Sequence, residues 1–246
     1  MTRTWYGFLY YVSWAFFGLL GLLLNVVCAP CLLLPRSRRR ARWTRRAIRG
    51  LFSFWLRWLH ACGVVRVRWR NFPPGPLPGG RVYVANHPTL VDATVLLACL
   101  PDAVCVFKPA LLRNPVLGPA ARIAGYIVGD HGVETVRAAA AALAGGCSLL
   151  VFPEGTRTEP GHVLSPLKPG FALIARRAEA PIQVVLLRAS QNLVPRGRPW
   201  WQLPPLPGWI EATLDEEIAV HEGDATQAIV EQVERRLRRA RGHPAG

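Results

Sequence analysis

The sequence predicts an α/β protein in which helices flank a largely parallel central sheet, preceded by an N-terminal membrane helix and an interfacial amphipathic helix. Three observations support this. After residue 63, short apolar runs alternate with helical patterns, as in strands joined by helices. No charged residue lies between Arg3 and Arg36. An arginine-rich block at 36–42 follows that apolar run directly.

The apolar run is long enough to enter a bilayer. Residues 5–29 exceed the roughly 20 residues that a membrane-crossing helix needs. We therefore expect residues 1–35 to form a transmembrane or membrane-embedded segment, although Pro30 and Pro35 could bend it into a hairpin within one leaflet. A signal peptide is a weaker interpretation, because its apolar core would be shorter. Aromatic side chains typical of an interfacial belt crowd the beginning: Trp5, Tyr6, Tyr10, Tyr11 and Trp14.

Residues 36–63 have the pattern of a basic amphipathic helix at the membrane surface. Apolar side chains that include Trp55 and Trp58 share one face, and we expect these tryptophans at headgroup depth. Arginines next to an apolar span favour the anionic cytoplasmic leaflet, by about 1 kcal/mol each. We therefore expect a bacterial-type inner (cytoplasmic) membrane protein whose catalytic domain lies on the cytoplasmic side. The opposite face of the helix carries Arg42, Arg45, Arg46, Arg49 and Arg57.

The formal net charge of +15 implies an anionic partner. No zinc finger, basic zipper or other nucleic-acid motif is recognisable, so we expect membrane lipids and no nucleic acid. Cys28 and Cys31 form a C-x-x-C pattern, which we interpret as small apolar residues of the membrane segment and not as a redox pair. No cluster has metal-ligand spacing, and no metal site is predicted.

Residues 64–246 are expected to form the α/β domain. Strands are predicted at 64–69, 81–85, 103–107, 126–128, 148–152, 182–187 and 209–214. Helices are predicted at 90–100, 117–124, 133–144, 171–178 and 224–241. Ligands of open α/β sheets bind beyond the carboxyl ends of the strands, so polar residues at these ends are the first candidates for a site.

The first such motif, at 86–92, follows the strand 81–85. We expect Thr89 to cap the next helix, which places Asp92 in its first turn, near His87. An imidazole with one nitrogen held by a carboxylate keeps its other nitrogen free to accept a proton from an alcohol. Chemistry alone leaves a second interpretation open, in which Asp92 only caps the helix and His87 is a polar turn residue.

The second motif, at 152–157, follows the strand 148–152. Gly155 lets a ligand approach the backbone, and the planar fork of Arg157 suits a phosphate or carboxylate. Glu154 could hydrogen bond a substrate hydroxyl or orient Arg157. The alternative is a polar turn with an internal Glu–Arg pair. Because both motifs lie at the same sheet edge, together they favour an active site.

A protein nucleophile is missing from both motifs. There is no G-x-S-x-G elbow, and neither loop contains a cysteine. The His–Asp pair is therefore expected to activate a substrate hydroxyl directly, for acyl transfer from a thioester without an acyl-enzyme. Backbone N–H groups near the loops, or Lys108, are candidate donors to the oxyanion.

The ordered pair of His87-x4-Asp92 and Phe152-Pro153-Glu154-Gly155-Thr156-Arg157 resembles the two hallmark motifs of the glycerolipid acyltransferases, of which lysophosphatidic acid acyltransferase is the prototype. Similar segments around Lys108, at 125–127, 168–170 and 180–182 extend the resemblance over about residues 60–215. The resemblance implies an acyltransferase domain over 64–246, with His87 as base aided by Asp92. It also implies an acyl-carrier protein or coenzyme A thioester as co-substrate, with no other cofactor. The implied substrate-binding residues are Lys108, Glu154, Gly155, Thr156 and Arg157.

One position departs from the family pattern. In the segment 126–131, His131 stands where an arginine that contacts the acceptor phosphate is expected. We predict a membrane-bound O-acyltransferase that acts on the hydroxyl of a lysophospholipid-like acceptor. A specialised lipid or an aryl-polyene conjugate is the alternative acceptor, to which the departure points. A lipid esterase and a non-enzymatic membrane scaffold are the competing functions.

Overall fold

A computed structural model describes residues 3–129, 132–190 and 193–239, so that His131 lies outside the described residues. The strands of the described residues are β1 Val65–Arg70, β2 Val82–Ala85, β3 Ala103–Phe107, β4 Ile127–Val128, β5 Ser148–Val151, β6 Ile182–Ala189 and β7 Gly208–Ile218. These seven strands form one sheet in the order β1-β7-β6-β2-β5-β3-β4.

The sheet is mixed but largely parallel. β6, β2, β5, β3 and β4 run parallel to one another, β7 is antiparallel to β6, and β1 is parallel to β7. The central strands β2 and β5 are buried along their whole length because helices cover both faces. The predicted fold class is confirmed.

Two layers of helices cover the sheet. The helices are α1 Arg3–Cys28, α2 Arg38–Ala61, α3 Asp92–Cys99, α4 Gly118–Ala124, α5 Val133–Ala144, α6 Gly170–Ala178 and α7 Thr226–Arg239, with 3-10 turns at Ala29–Leu33 and Pro109–Arg113. The four helices α1, α2, α3 and α4 share one apolar core with the first face of the sheet. The helices α5, α6 and α7 share a second core with the other face.

The apolar helix α1 packs against the domain by one face. Asn25 is buried, donates to the carbonyl of Val116 at 2.6 Å and accepts from the N–H of Ala120 at 2.7 Å. One turn earlier, a Cβ on Gly21 would lie 2.9 Å from the carbonyl oxygen of Val116, so glycine permits the close approach. At the other end of the helix, the hydroxyl of Tyr11 donates to the carbonyl of Trp201 at 2.9 Å. The segment Arg3–Leu33 is, among the described residues, the one helical stretch long and apolar enough to cross a membrane.

The tryptophan-bearing face of α2 packs against α1. The indole N–H of Trp55 donates to the carbonyl of Ser13 at 2.9 Å, and that of Trp58 to the Ser13 hydroxyl at 3.0 Å. Trp55 is 2% exposed, so protein and not lipid surrounds it, and its depth relative to the headgroups stays a prediction. Arg45 also departs from the expected solvated face, since it is buried and pairs with Asp102 at 2.7 Å. The interfacial position of α2 stays a prediction.

Candidate active site

The loop that carries His87 is fixed to the sheet by Asn86. The side-chain amide of this buried asparagine donates to the carbonyl of Leu187 at 2.8 Å and accepts from its N–H at 2.7 Å. These two bonds continue the pairing of β2 with β6 by one residue beyond the strand. The backbone therefore enters the loop in a defined position, with His87 as the next residue.

His87 and Asp92 are in direct contact. Nδ1 of His87 lies 2.8 Å from Oδ2 of Asp92, whose side chain is fully buried. The carboxylate also accepts the N–H of Thr89 at 2.7 Å and the hydroxyl of Thr89 at 2.5 Å. Because the carboxylate only accepts, Nδ1 carries the proton and Nε2 is left with its lone pair.

Thr89 is not the cap that the sequence suggested. α3 begins at Asp92, Val91 precedes it at the N-cap position, and the hydroxyl of Thr89 donates to the carboxylate instead of accepting a backbone N–H. Only the reciprocal half of a capping box is present, in which the acidic side chain reaches back to a backbone N–H. The Thr89 side chain thus contributes to holding Asp92 against His87.

An aromatic ring packs against one face of the imidazole. Phe152 stacks on it with ring centroids 4.2 Å apart and planes inclined by 23°. The side chain of His87 keeps 18% exposure, and no described residue hydrogen bonds Nε2. A substrate hydroxyl can therefore reach that nitrogen.

Glu154 connects the two motifs, and its role differs from the expected one. Its Oε1 accepts the N–H of His87 and the hydroxyl of Thr158, each at 2.9 Å, and Oε2 accepts the N–H of Ser165 at 2.9 Å. The residue is 4% exposed. A buried carboxylate with three protein donors is not available to a substrate hydroxyl, and none of these three donors is Arg157. The geometry assigns Glu154 to positioning the His87 backbone.

Arg157 connects the second motif to the loop that follows β6. Its Nη1 donates to the carbonyls of Val194 and Pro195 at 3.0 and 2.9 Å, and the N–H of Leu90 donates to the same Val194 carbonyl at 3.3 Å. Partial burial lowers the pKa of Arg157, and the positive charge of Arg196 lowers it further. The guanidinium keeps its other N–H groups for an anionic ligand.

The glycine of the second motif lies under a lysine. Gly155 adopts a φ of 67°, and a Cβ there would come within 3.0 Å of Nζ of Lys168. Lys168 is exposed, and its N–H donates to the carbonyl of Pro153 at 2.9 Å. Thr156 is half-buried in the same loop, whereas Lys108 is exposed and follows β3, the neighbour of β5. Lys108 therefore directly follows a strand next to β5, whereas Lys168 lies over Gly155 in the loop between β5 and α6.

Comparison with known proteins identifies the family. A family model described as "Acyltransferase" matches residues 65–188, which is half of the chain and includes both motifs. The chain belongs to the acyltransferase family. The resemblance to glycerolipid acyltransferases seen in the sequence is confirmed.

Curated acyltransferases of this family share part of the chain. A 1-acyl-sn-glycerol-3-phosphate acyltransferase of Helicobacter pylori is 30% identical over 158 residues, covering 62% of this chain and 62% of the relative. One from Cocos nucifera is 31% identical over 121 residues, covering 44% of this chain and 37% of the relative. The chain thus spans less than two thirds of the length of these relatives.

The fold is shared with an acyltransferase of known structure. The crystal structure of the 1-acyl-sn-glycerophosphate (LPA) acyltransferase PlsC from Thermotoga maritima matches with a TM-score of 0.70 at 22% identity. The match covers 96% of this chain and 94% of that one. It therefore includes the N-terminal helices as well as the sheet.

Sequence reasoning missed several residues of this acyltransferase site. Asn86 and Phe152 lie inside the two motifs, and their neighbourhood to His87 was a usable signal. Thr158 and Ser165 bind Glu154 from positions beyond the second motif, where no local pattern marks them. Lys168 belongs to the segment 168–170 that extends the family resemblance, but the sequence assigns this lysine no role.

Glu154 offers a direct test of positioning. We expect Glu154→Gln to lower kcat by about 10²-fold with little change in KM, since a displacement of the base by about 1 Å costs that much. The amide would place a donor against one of three donors, and should also cost about 1–3 kcal/mol of stability. Steady-state kinetics and thermal unfolding measure both effects.

Glu159→Gln is the matched control, because this glutamate lies in the same loop as Glu154 but is exposed and pairs with Arg196. It should leave both values nearly unchanged. A Glu154→Gln enzyme with a raised KM and an intact kcat would instead show that Glu154 binds the acceptor and does not position His87.

Proposed function

We propose that this chain is a membrane-bound O-acyltransferase that moves a fatty acyl group from a thioester to the hydroxyl of a lysophospholipid-like acceptor. The observation that carries the proposal is the oriented imidazole, with Nδ1 held by Asp92 and Nε2 not hydrogen bonded by any described residue. The names of the curated relatives supply the acceptor class.

The reaction proceeds by direct transfer. As the acceptor oxygen attacks the thioester carbon, its proton passes to Nε2 of His87, and Asp92 stabilises the imidazolium that forms. The tetrahedral intermediate then expels the thiolate, which takes the proton back from Nε2. No described serine or cysteine hydrogen bonds to His87, which favours the acceptor itself as nucleophile.

Cations at this sheet edge bind the anionic parts of the substrates. Arg157 and Lys168 flank Gly155, and Lys108 follows the adjacent strand. An acceptor phosphate is a suitable ligand for such a group, because two or three cations match its charge. Lys108 or backbone N–H groups supply the donors to the oxyanion. Either an acyl-carrier protein or coenzyme A carries the acyl group.

A panel of acceptors tests this function. The purified protein, given a radiolabelled acyl thioester in mixed micelles, should acylate lysophosphatidate faster than a monoacylglycerol that lacks the phosphate. Labelled free fatty acid as the main product would identify an esterase. Acylation that is equally fast without a phosphate would favour the specialised-lipid acceptor suggested by His131. No turnover of any thioester, carried by either donor, would contradict an acyltransferase.

We further propose that α1 lies within one leaflet and does not cross the membrane. It contacts the domain from Tyr11 to Asn25, over about 21 Å of helix, so a crossing would draw the loops around Val116 and Trp201 into the hydrocarbon. Its other face is apolar and exposed at Phe8, Leu19, Leu22, Leu23, Val26 and Val27.

Epitope tags at both ends of the chain distinguish the two arrangements. A single-leaflet helix leaves both tags sensitive to protease from the same side of oriented vesicles. If protease cleaves the two tags from opposite sides of the vesicle membrane, α1 crosses the membrane. The cytoplasmic side stays a prediction, which the same experiment tests.

A further inference from the structure

A cavity of about 850 Å³ lies away from His87. It is enclosed by α2, β1, the proline-rich loop 72–77 and the C-terminal end of α3, and we call it the α2 cleft. Its volume is typical of a site for a small molecule or a lipid portion. Asp92 begins α3 beside His87, whereas Ala98 and Cys99 line the cleft about 9–10 Å further along the helix. The α2 cleft is therefore separate from the acyltransferase site.

One wall of the α2 cleft is positively charged. Arg49, Arg57 and His60 project from a single stripe of α2, with Arg57 and His60 one turn apart. None of the described residues that line the cleft is acidic. Arg49 donates to the carbonyl of Ala98 at 3.3 Å, and Arg57 and His60 have no ion-pair partner within the described part of the chain. The wall thus offers cationic groups to an anion.

The opposite wall is apolar and aromatic. Val67 and Trp69 face the cleft from β1, and Phe72 packs edge-on against Trp69 at 5.0 Å. Trp69 remains 40% exposed, which is unusual for a large apolar ring beside a cavity of this size. The prolines of the loop 72–77 complete this wall with little conformational freedom to lose on binding.

We propose that the α2 cleft binds an anionic glycerolipid, with its phosphate on the basic stripe of Arg49, Arg57 and His60 and its acyl portion on the aromatic wall. The pairing of a cationic stripe with an aromatic wall matches a ligand that has one anionic end and one apolar end. Phe54, beside the lining residue Ser53, is 46% exposed and adjoins Phe16 of α1, so the cleft opens next to the apolar surface of the two helices. Membrane lipid is the nearest source of such a ligand.

The binding test uses a probe that cannot be acylated. Dioctanoyl phosphatidic acid carries the phosphate and two acyl chains but no free glycerol hydroxyl, so it cannot be acylated. Because it would be the product of the proposed reaction, any binding at the acyltransferase site is common to the parent and the variants, and the difference between them measures the α2 cleft. Calorimetric titration of the full-length protein in neutral detergent should give a Kd at least about ten-fold weaker for Arg49→Gln/Arg57→Gln. The matched double variant Arg66→Gln/Arg68→Gln loses the same charge from exposed positions on the other face of β1, and should bind as the parent does.

Trp69→Ala separates the apolar contribution from the charge. It should weaken binding of dioctanoyl phosphatidic acid but not the weaker binding of inorganic phosphate. Equal losses in the two charge variants would show general attraction to a basic protein and overturn the proposal. Inorganic phosphate or adenosine monophosphate that binds the parent as tightly as the lipid, or a lipid affinity unchanged in all variants, would overturn it as well. Failure of acyl transfer leaves this binding result unaffected, so the two proposals are tested separately.

Discussion

His87→Ala is expected to lower acyl transfer by about 10²–10⁴-fold, the usual contribution of a positioned general base. Nε2 is the group placed to take the proton of the acceptor, and alanine offers no substitute. The fold should survive, because the loop is held through Asn86 and through the backbone N–H of residue 87, which an alanine retains. Binding of both substrates should change little.

Single-turnover rates of the purified variant with a saturating thioester measure this effect. His221→Ala is the control, since this exposed histidine contacts Asp224 through its backbone N–H and carbonyl, which an alanine retains. It should transfer at the parental rate. A His87→Ala enzyme that retains more than about a tenth of the activity, with unfolding temperature unchanged, would remove His87 as the base.

How much of this site the sequence could predict depends on how far apart along the chain the contacting residues lie. His87 and Asp92 belong to one short motif, so a turn followed by a helix was enough to predict their contact. The bond from the N–H of His87 to Glu154 joins residues 67 positions apart, a long-range contact that no local pattern contains. For the same reason, the partners of Arg157 at 194–195 could not be predicted.

The fold shows the same division. The buried strands β2 and β5 were visible as short apolar runs, and the helices between the strands followed from periodicity. The pairing of β7 with β1 at the sheet edge depends on contacts between residues more than a hundred positions apart, and a pattern along the chain does not reveal that β7 runs antiparallel to β6. Strand order was therefore beyond the reach of patterns along the chain.

The surface helices show a different limit. A helical pattern identifies the apolar face of α2, but it does not reveal whether lipid or protein covers that face. Trp55 packs against Trp14 and Phe17 of α1, with Phe17 at 4.8 Å between ring centroids. The burial of Arg45 is equally hidden from the pattern, because its partner Asp102 lies in a loop 57 residues later. The helical pattern alone predicts both residues at the membrane surface.

Asp92→Asn is expected to lower acyl transfer by about 10²-fold or more, less than the loss in His87→Ala. The N–H of Thr89 and the Nδ1–H of His87 both donate to Oδ2, so the amide oxygen of an asparagine must occupy that position. The hydroxyl of Thr89 can turn to accept from the amide nitrogen at the other position. The tautomer of His87 is thereby kept, and only the negative charge that stabilises the imidazolium is lost.

The comparison with Asp92→Ala separates orientation from charge. Alanine removes both, so its loss should approach that of His87→Ala, and Thr89→Val should cost no more than about ten-fold, since the carboxylate keeps its contact with Nδ1. Rate constants for the two single variants and the double variant of His87 and Asp92 then form a double-mutant cycle. If Asp92 acts through His87, Asp92→Asn should add nothing in the His87→Ala background, because residues that act as a unit are not additive. A further loss there, at unchanged thermal stability, would show that Asp92 serves the reaction by a route that bypasses the imidazole.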